Sequence, residues 1–292
     1  MVTQLASALL AGSAFTPLLS GCASARPSLR ARVVVIGGGF AGASCARLLN
    51  SLEPDLDVTL IEAQSTYTAC PLSNLVVAAQ RPLSAQQFSY TSLARSGVEV
   101  VPTSADRIDP QSRSIRLSSG EVITYDRVVV APGIDLHWDA LPGYNPTAAQ
   151  RMPHAWKAGA QSVLLRDQLL AMPDGGLVAI AVPNNPYRCP PGPYERASLI
   201  AHYLKQHKPR SKLLILDAKD RFSKQPLFQQ AWAQLYGPMV EWQGASDGAA
   251  VISVDAKAGT LNTDFDTIRP AVANVIPPQR AGALAQRSGL TD

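Results

Sequence analysis

The chain has 292 residues, 46% of them hydrophobic and 16% charged, with a net charge of +4. That balance excludes an intrinsically disordered chain, and the length allows two ordinary domains, each able to bury its own core. The basic run Lys205, His207, Lys208, Arg210 and Lys212 is expected to be a solvated helix end, the competing reading being attraction of an acidic partner; without interleaved aromatics it gives no case for nucleic-acid binding.

Residues 1–25 stand apart. From Leu5 to Leu19 the sequence is apolar and small, with no charge before Arg26, as in the apolar region of an export signal and too short for a membrane span. Two cleavage readings stand side by side: an A-x-A site at Ala23-Ser24-Ala25, and a lipobox at Leu19-Ser20-Gly21-Cys22 that would leave Cys22 lipidated. Either implies an exported, periplasmic protein without a transmembrane anchor in its mature form.

The apolar run Ala31 to Ile36 predicts a parallel strand buried on both faces. It leads into Gly37-Gly38-Gly39-Phe40-Ala41-Gly42, which opens a helix, and a second strand, Asp57 to Ile61, ends at Glu62. Residues 63–82 read as irregular. Short strands follow at Val98 to Val101, Ser114 to Leu117 and Arg127 to Ala131; the turns Asp109-Pro110 and Ser119-Gly120 make them a β-meander on the parallel sheet. The loop from Pro142 to Pro153 marks a domain boundary. A second α/β rhythm then runs through a helix at Gln161 to Ala171, a strand at Gly176 to Val182, a helix at Tyr194 to Lys205 and a strand at Lys212 to Asp217. The fold expected is α/β, with two Rossmann-like domains, 26–150 and 151–270, and a return to the first over 271–292.

The glycines have separate duties in a dinucleotide fingerprint. Gly37 makes the tight turn, Gly39 admits a pyrophosphate close to the backbone, and Gly42 lets helix pack on strand. The helix N-terminus offers N–H groups to phosphate. Glu62 sits where a carboxylate accepts hydrogen bonds from ribose hydroxyls.

In the second domain the matching turn is Pro183-Asn184-Asn185-Pro186-Tyr187-Arg188-Cys189-Pro190-Pro191-Gly192-Pro193. Prolines and bulky side chains there bar the same approach to a pyrophosphate, which argues against NAD(P)H as electron donor. Cys189 lies before a helix N-terminus and beside Arg188, both of which lower a thiol pKa; a buried loop cysteine is the competing reading. Cys22, Cys45, Cys70 and Cys189 contain no C-x-x-C pair, and the histidines are scattered, so no metal site is expected.

The strand and turn Val128-Val129-Val130-Ala131-Pro132-Gly133 resemble the second FAD fingerprint of the disulfide-reductase superfamily, which adds Ala131 and Gly133 to the candidate FAD site. The segments Tyr67-Thr68-Ala69-Cys70-Pro71-Leu72-Ser73-Asn74, His154-Ala155-Trp156-Lys157-Ala158-Gly159, Tyr187 to Ala197 and Ile276-Pro277-Pro278-Gln279-Arg280-Ala281-Gly282 resemble the flavoprotein subunit of flavocytochrome c sulfide dehydrogenase. The resemblance implies FAD, bound covalently through a cysteine in the position of Cys70, although Ala69 interrupts the family's Tyr-Thr-Cys spacing. It also implies that Cys189 is half of a redox disulfide beside the flavin, with sulfide as substrate and a cytochrome c subunit as partner, haem being on that subunit alone. Cys45 has no such role and is expected in the core. The family continues past the position matching Asp292 into a further turn, a second redox cysteine and a C-terminal interface domain, so the chain reads as lacking that domain. A sulfide:quinone oxidoreductase and a non-catalytic remnant are the alternative readings.

Overall fold

The computed structural model describes residues 30–291. The leader, with Cys22, lies outside the described residues.

The first half runs β1 (Arg32–Ile36), α1 (Phe40–Leu52), β2 (Asp57–Ile61), β3 (Thr66–Thr68), α2 (Ser73–Val77), β4 (Gln87–Ser89), α3 (Thr91–Arg95), β5 (Glu99–Val101), β6 (Ala105–Asp109), β7 (Ser114–Leu117), β8 (Val122–Thr124), β9 (Arg127–Val130) and β10 (Ile134–Leu136). A parallel sheet is ordered β5-β2-β1-β9. Its β-branched central strand explains the two-sided burial. Val35 faces α1, packing with Ala46, Val58 and Leu60, while Val34 and Ile36 face the opposite layer of Ile108, Ile115, Leu117 and Tyr125.

That opposite layer is the meander, and its strands are β6-β7-β8. The expectation is corrected here: Glu99–Val101 and Arg127–Val130 are outer strands of the parallel sheet, and only Ser114–Leu117 belongs to the meander. The stretch read as irregular carries a two-stranded ribbon, β3 with β4, and the short helix α2.

The second half continues with α4 (Ala160–Ala171), β11 (Leu177–Val182), α5 (Gly192–His207), β12 (Lys212–Asp217), α6 (Gln225–Leu235), β13 (Val240–Gln243), β14 (Ser253–Asp255), β15 (Thr260–Asn262), β16 (Thr267–Ile268), β17 (Val272–Val275), β18 (Gln279–Ala281) and α7 (Ala283–Arg287). Its parallel sheet, β13-β12-β11-β17, repeats the order of the first. Val178, Ile180 and Val182 face the helices, whereas Ala179 and Ala181 face Tyr144, Met152 and the small sheet β14-β15-β16.

The expected return to the first domain at residue 271 is corrected. Val272–Val275 pairs with β11 and completes the second sheet. The chain crosses only at β18, which pairs antiparallel with β10, after which Leu284 of α7 enters the first domain's core. The basic run is not simply a solvated helix end either. Lys208 is buried and its ammonium donates to the carbonyls of Leu169, Leu170 and Met172 where α4 ends.

Candidate functional site

The glycine loop lies at the carboxyl end of β1, where open α/β sheets bind their ligands. Gly37 has φ +98°, and a Cβ there would overlap the Ala131 carbonyl oxygen. This is how the two fingerprints meet: Ala131 N–H also donates to Ile36 O at 2.8 Å. At Gly42 a Cβ would overlap the Gly37 carbonyl, so the helix can approach its strand only with glycine there. Gly39 precedes α1, and a Cβ there would meet the Tyr67 ring at an ordinary contact distance of 3.7 Å. Gly133, at φ +68°, accepts from Gly282 N at 3.0 Å.

Glu62 is placed at this loop but is engaged by it. Its Oε2 accepts from Gly38 N at 2.7 Å, and its Oε1 accepts from Gln64 N at 2.8 Å. Each carboxylate oxygen retains acceptor capacity for a ribose hydroxyl. Tyr90, which the sequence reading missed, closes the back of the loop by donating to Gly38 O at 2.9 Å.

In front of the loop is a cavity of about 360 Å³ lined by Gly38, Gly39, Phe40, Tyr67, Leu72 and Arg81, among others. Phe40 and Tyr67 meet edge to face at 5.6 Å, and Phe40 is 57% exposed at the mouth. The N–H groups of the first turn of α1, the glycines Gly37, Gly38 and Gly42 where a Cβ would overlap its neighbours, and the Arg81 guanidinium suit an anionic dinucleotide. The residues present therefore fit FAD.

Cys70 sits between two residues of the same lining, Ala69 and Pro71. Arg188, from the loop before α5, donates through Nη2 to Cys70 Sγ at 3.2 Å and to the Trp156 carbonyl. Its backbone N–H donates to Gln279 Oε1 at 2.9 Å. Cys189 follows with φ +60°, and a Cβ built on Gly192 would lie 3.2 Å from its sulfur and 2.8 Å from the Trp156 ring. The structure thus brings Cys70 and Cys189 to one place around Arg188 and Trp156. Cys45 is half-buried on α1 instead of lying in the core.

One electrostatic expectation is overturned. The Cys189 thiol is pushed up from its ordinary value, first by partial desolvation and then by the Glu195 carboxylate, which together outweigh the Gly192 N–H and Arg188. The helix N-terminus is present, but an acid occupies its first turn, and the guanidinium is spent on Cys70 and Trp156.

The remainder of the string carries two side chains that spacing did not single out. Asn74 of α2 donates to Gly192 O at 3.2 Å and to Glu195 Oε2 at 3.1 Å, docking the Cys70 segment on α5. Arg196, 2% exposed, binds Asn74, His154, Ala155 and Asn274. The signal available was Asn74 ahead of the apolar run Leu75-Val76-Val77; Arg196, set among Glu195, Ser198 and His202 on α5, gave none.

In the second domain, Asp217 ends β12 as Glu62 ends β2, but it is buried and already engaged. It accepts from Tyr194 Oη at 2.5 Å, Lys219 Nζ at 2.5 Å and Trp242 Nε1 at 3.1 Å, while Phe222 stacks on Tyr194 at 3.6 Å. Among the described residues no group of His, Cys, Asp and Glu could hold a metal ion, and no helix is long and apolar enough to cross a membrane.

Residues 31–163 match the family model described as pyridine nucleotide-disulphide oxidoreductase, and residues 162–277 match that for the sulfide dehydrogenase [flavocytochrome c] flavoprotein chain, central. The chain is 53% identical over 45 residues to the sulfide dehydrogenase [flavocytochrome c] flavoprotein chain of Chlorobaculum thiosulfatiphilum, covering 94% of that sequence and 15% of this one. It is 20% identical over 268 residues to the mitochondrial sulfide:quinone oxidoreductase of Dictyostelium discoideum, covering 89% of this chain and 59% of that one. The crystal structure of the sulfide:quinone oxidoreductase of Aquifex aeolicus shares the fold, with a TM-score of 0.73 at 20% identity over 89% of this chain and 61% of that one. The chain therefore spans less than two thirds of these two longer relatives. Taken with the glycine cradle, the matches show that the chain belongs to the family of flavocytochrome c sulfide dehydrogenase flavoprotein chains.

Proposed function

We propose that the protein acts in FAD-dependent oxidation of sulfide in the periplasm, passing electrons to a c-type cytochrome subunit. The observation that carries this reading is the meeting of Cys70, Arg188 and Cys189 at the edge of the dinucleotide cavity. The apolar leader motivates the compartment. The likeness to the Chlorobaculum flavoprotein chain motivates the cytochrome partner.

With Cys189 joined to a second redox cysteine of the kind the family resemblance implies, hydrosulfide attacks that disulfide. A new S–S bond forms between substrate and one cysteine, the old S–S bond breaks, and its electron pair leaves on the other sulfur as thiolate. FAD, when bound, supplies a two-electron acceptor that releases electrons singly. The glycine loop and α1 bind its pyrophosphate, Glu62 receives its ribose, and Cys70 stands as the point of covalent attachment. Trp156 and Arg188 hold the two cysteine segments in register.

A second reading, transfer to a quinone, is favoured by the sulfide:quinone oxidoreductases that match most of this chain. One experiment separates them. FAD-loaded protein is mixed anaerobically with sulfide and then with either a c-type cytochrome or a short-chain quinone. Flavin bleaching by sulfide, lost in Cys189→Ser and followed by cytochrome reduction, supports the proposal. Reoxidation by quinone alone supports the second reading, and flavin indifferent to sulfide overturns both.

A further inference from the structure

Arg196 is a fully buried cation on which, among the described residues, no carboxylate makes a hydrogen bond or ion pair. Its Nε donates to Asn74 Oδ1 at 2.9 Å, Nη1 to His154 O at 3.1 Å and Asn274 Oδ1 at 2.7 Å, and Nη2 to Ala155 O at 2.6 Å. Every acceptor is neutral. A buried charge normally requires a counter-charge, since hydrogen bonds to carbonyls satisfy its donors without neutralising it. Desolvation accordingly lowers the guanidinium to about 10.

What lies near it is sulfur. The guanidinium stands 5.2 Å over the Trp156 ring, whose edge abuts the Gly192 position against which Cys189 Sγ also rests. The Trp156 carbonyl accepts from Arg188, which touches Cys70 Sγ. Sulfur anions at Cys70 and Cys189, once formed, favour the Arg196 charge, with Glu195 after them. The charged and titratable groups facing Cys189 are Arg188 on its own loop, Glu195 and Arg196 on α5, Cys70 on the facing segment, and Tyr187 behind.

We propose that Arg196 is a positioning residue whose unneutralised charge is the counter-ion for anionic sulfur formed at the Cys70 and Cys189 pair. Its hydrogen bonds also tie the two cysteine segments together, but the charge is the part that matters for sulfur. Chemistry on Cys189 begins or ends with a thiolate or a persulfide anion, each stabilised by a fixed cation nearby. The proposal rests on the sulfide reading only for the identity of that anion.

The test reads the thiol itself, so its failure is distinct from failure of the sulfide reading. Iodoacetamide alkylation of Cys189 in the full chain is followed by mass spectrometry as a function of pH. Arg196→Gln keeps polar contacts and removes the charge; it should raise the midpoint of the profile and slow alkylation at neutral pH roughly tenfold, since the rate follows the thiolate fraction. Arg196→Lys should stay near the unmutated profile. Should Arg196→Gln not fold, Asn274→Asp decides, because it leaves Arg196 in place and supplies the missing carboxylate, and it should raise the midpoint in the same sense. A folded Arg196→Gln or Asn274→Asp chain with an unmoved midpoint overturns the proposal, as does an Arg196→Lys chain that shifts as far as Arg196→Gln.

Discussion

Arg188 and Cys70 are 118 positions apart, yet the guanidinium of one donates to the sulfur of the other at 3.2 Å. The contact holds Cys70 at the cavity wall instead of leaving it free on its loop. With FAD bound, acid precipitation should therefore leave the flavin with the polypeptide, and Cys70→Ala should release it to the supernatant. Flavin wholly soluble after precipitation of the unmutated protein would reduce Cys70 to a packing residue.

The engaged Asp217 bears on electron donors. A carboxylate that already accepts from Tyr194, Lys219 and Trp242 in a buried site has no face left for a nucleotide ribose. We expect NADH to leave the flavin absorbance unchanged under anaerobic conditions while sulfide bleaches it. Rapid bleaching by NADH would place a nicotinamide site elsewhere on the chain.

The glycines should separate folding from binding. Gly42→Ala forces a Cβ into the Gly37 carbonyl and is expected to cost about 2 kcal/mol or more of stability, with loss of FAD. Gly39→Ala has room for its methyl and should melt near the parent temperature while binding FAD more weakly. Melting curves without cofactor and flavin titrations check the split; equal destabilisation by both would contradict it.

His154 gives a pH dependence of stability. Burial, with Arg196 and Lys157 adding to it, lowers its pKa from 6.5 to about 3, and the neutral ring accepts from Trp156 N at 2.9 Å. Below pH 6.5 the unfolded chain takes up a proton that the native chain refuses until about pH 3. Its contribution is therefore whole above that window and declines within it by about 1.4 kcal/mol per pH unit. Urea unfolding between neutral pH and about pH 5 should show that slope, and His154→Gln should flatten it.

Much of this was legible because it is local. The run Ala31 to Ile36, the glycines and Glu62 specify a β-α-β unit within a short stretch, and β1, α1 and β2 form there. Ala105–Asp109 escaped notice because only Ala105 and Ile108 of that strand are buried, leaving three polar residues outward and no apolar run. Val272–Val275 could be read as a strand, but which sheet receives a parallel strand depends on contacts far along the chain. Arg188 misled in a different way. Adjacency in sequence suggested help for Cys189, whereas the left-handed backbone at Cys189 turns the loop and the guanidinium goes to Cys70.

The pairing of β10 with β18 joins the strand that follows the first sheet to the strand that follows the second. Gln279, within that ribbon, also accepts from the Arg188 backbone. Opening the two sheets like a book would have to unzip this ladder and pull the Cys189 loop with it. The ladder therefore ties the crevice at its spine, while the Phe40 and Leu72 side chains stand exposed at the cavity mouth.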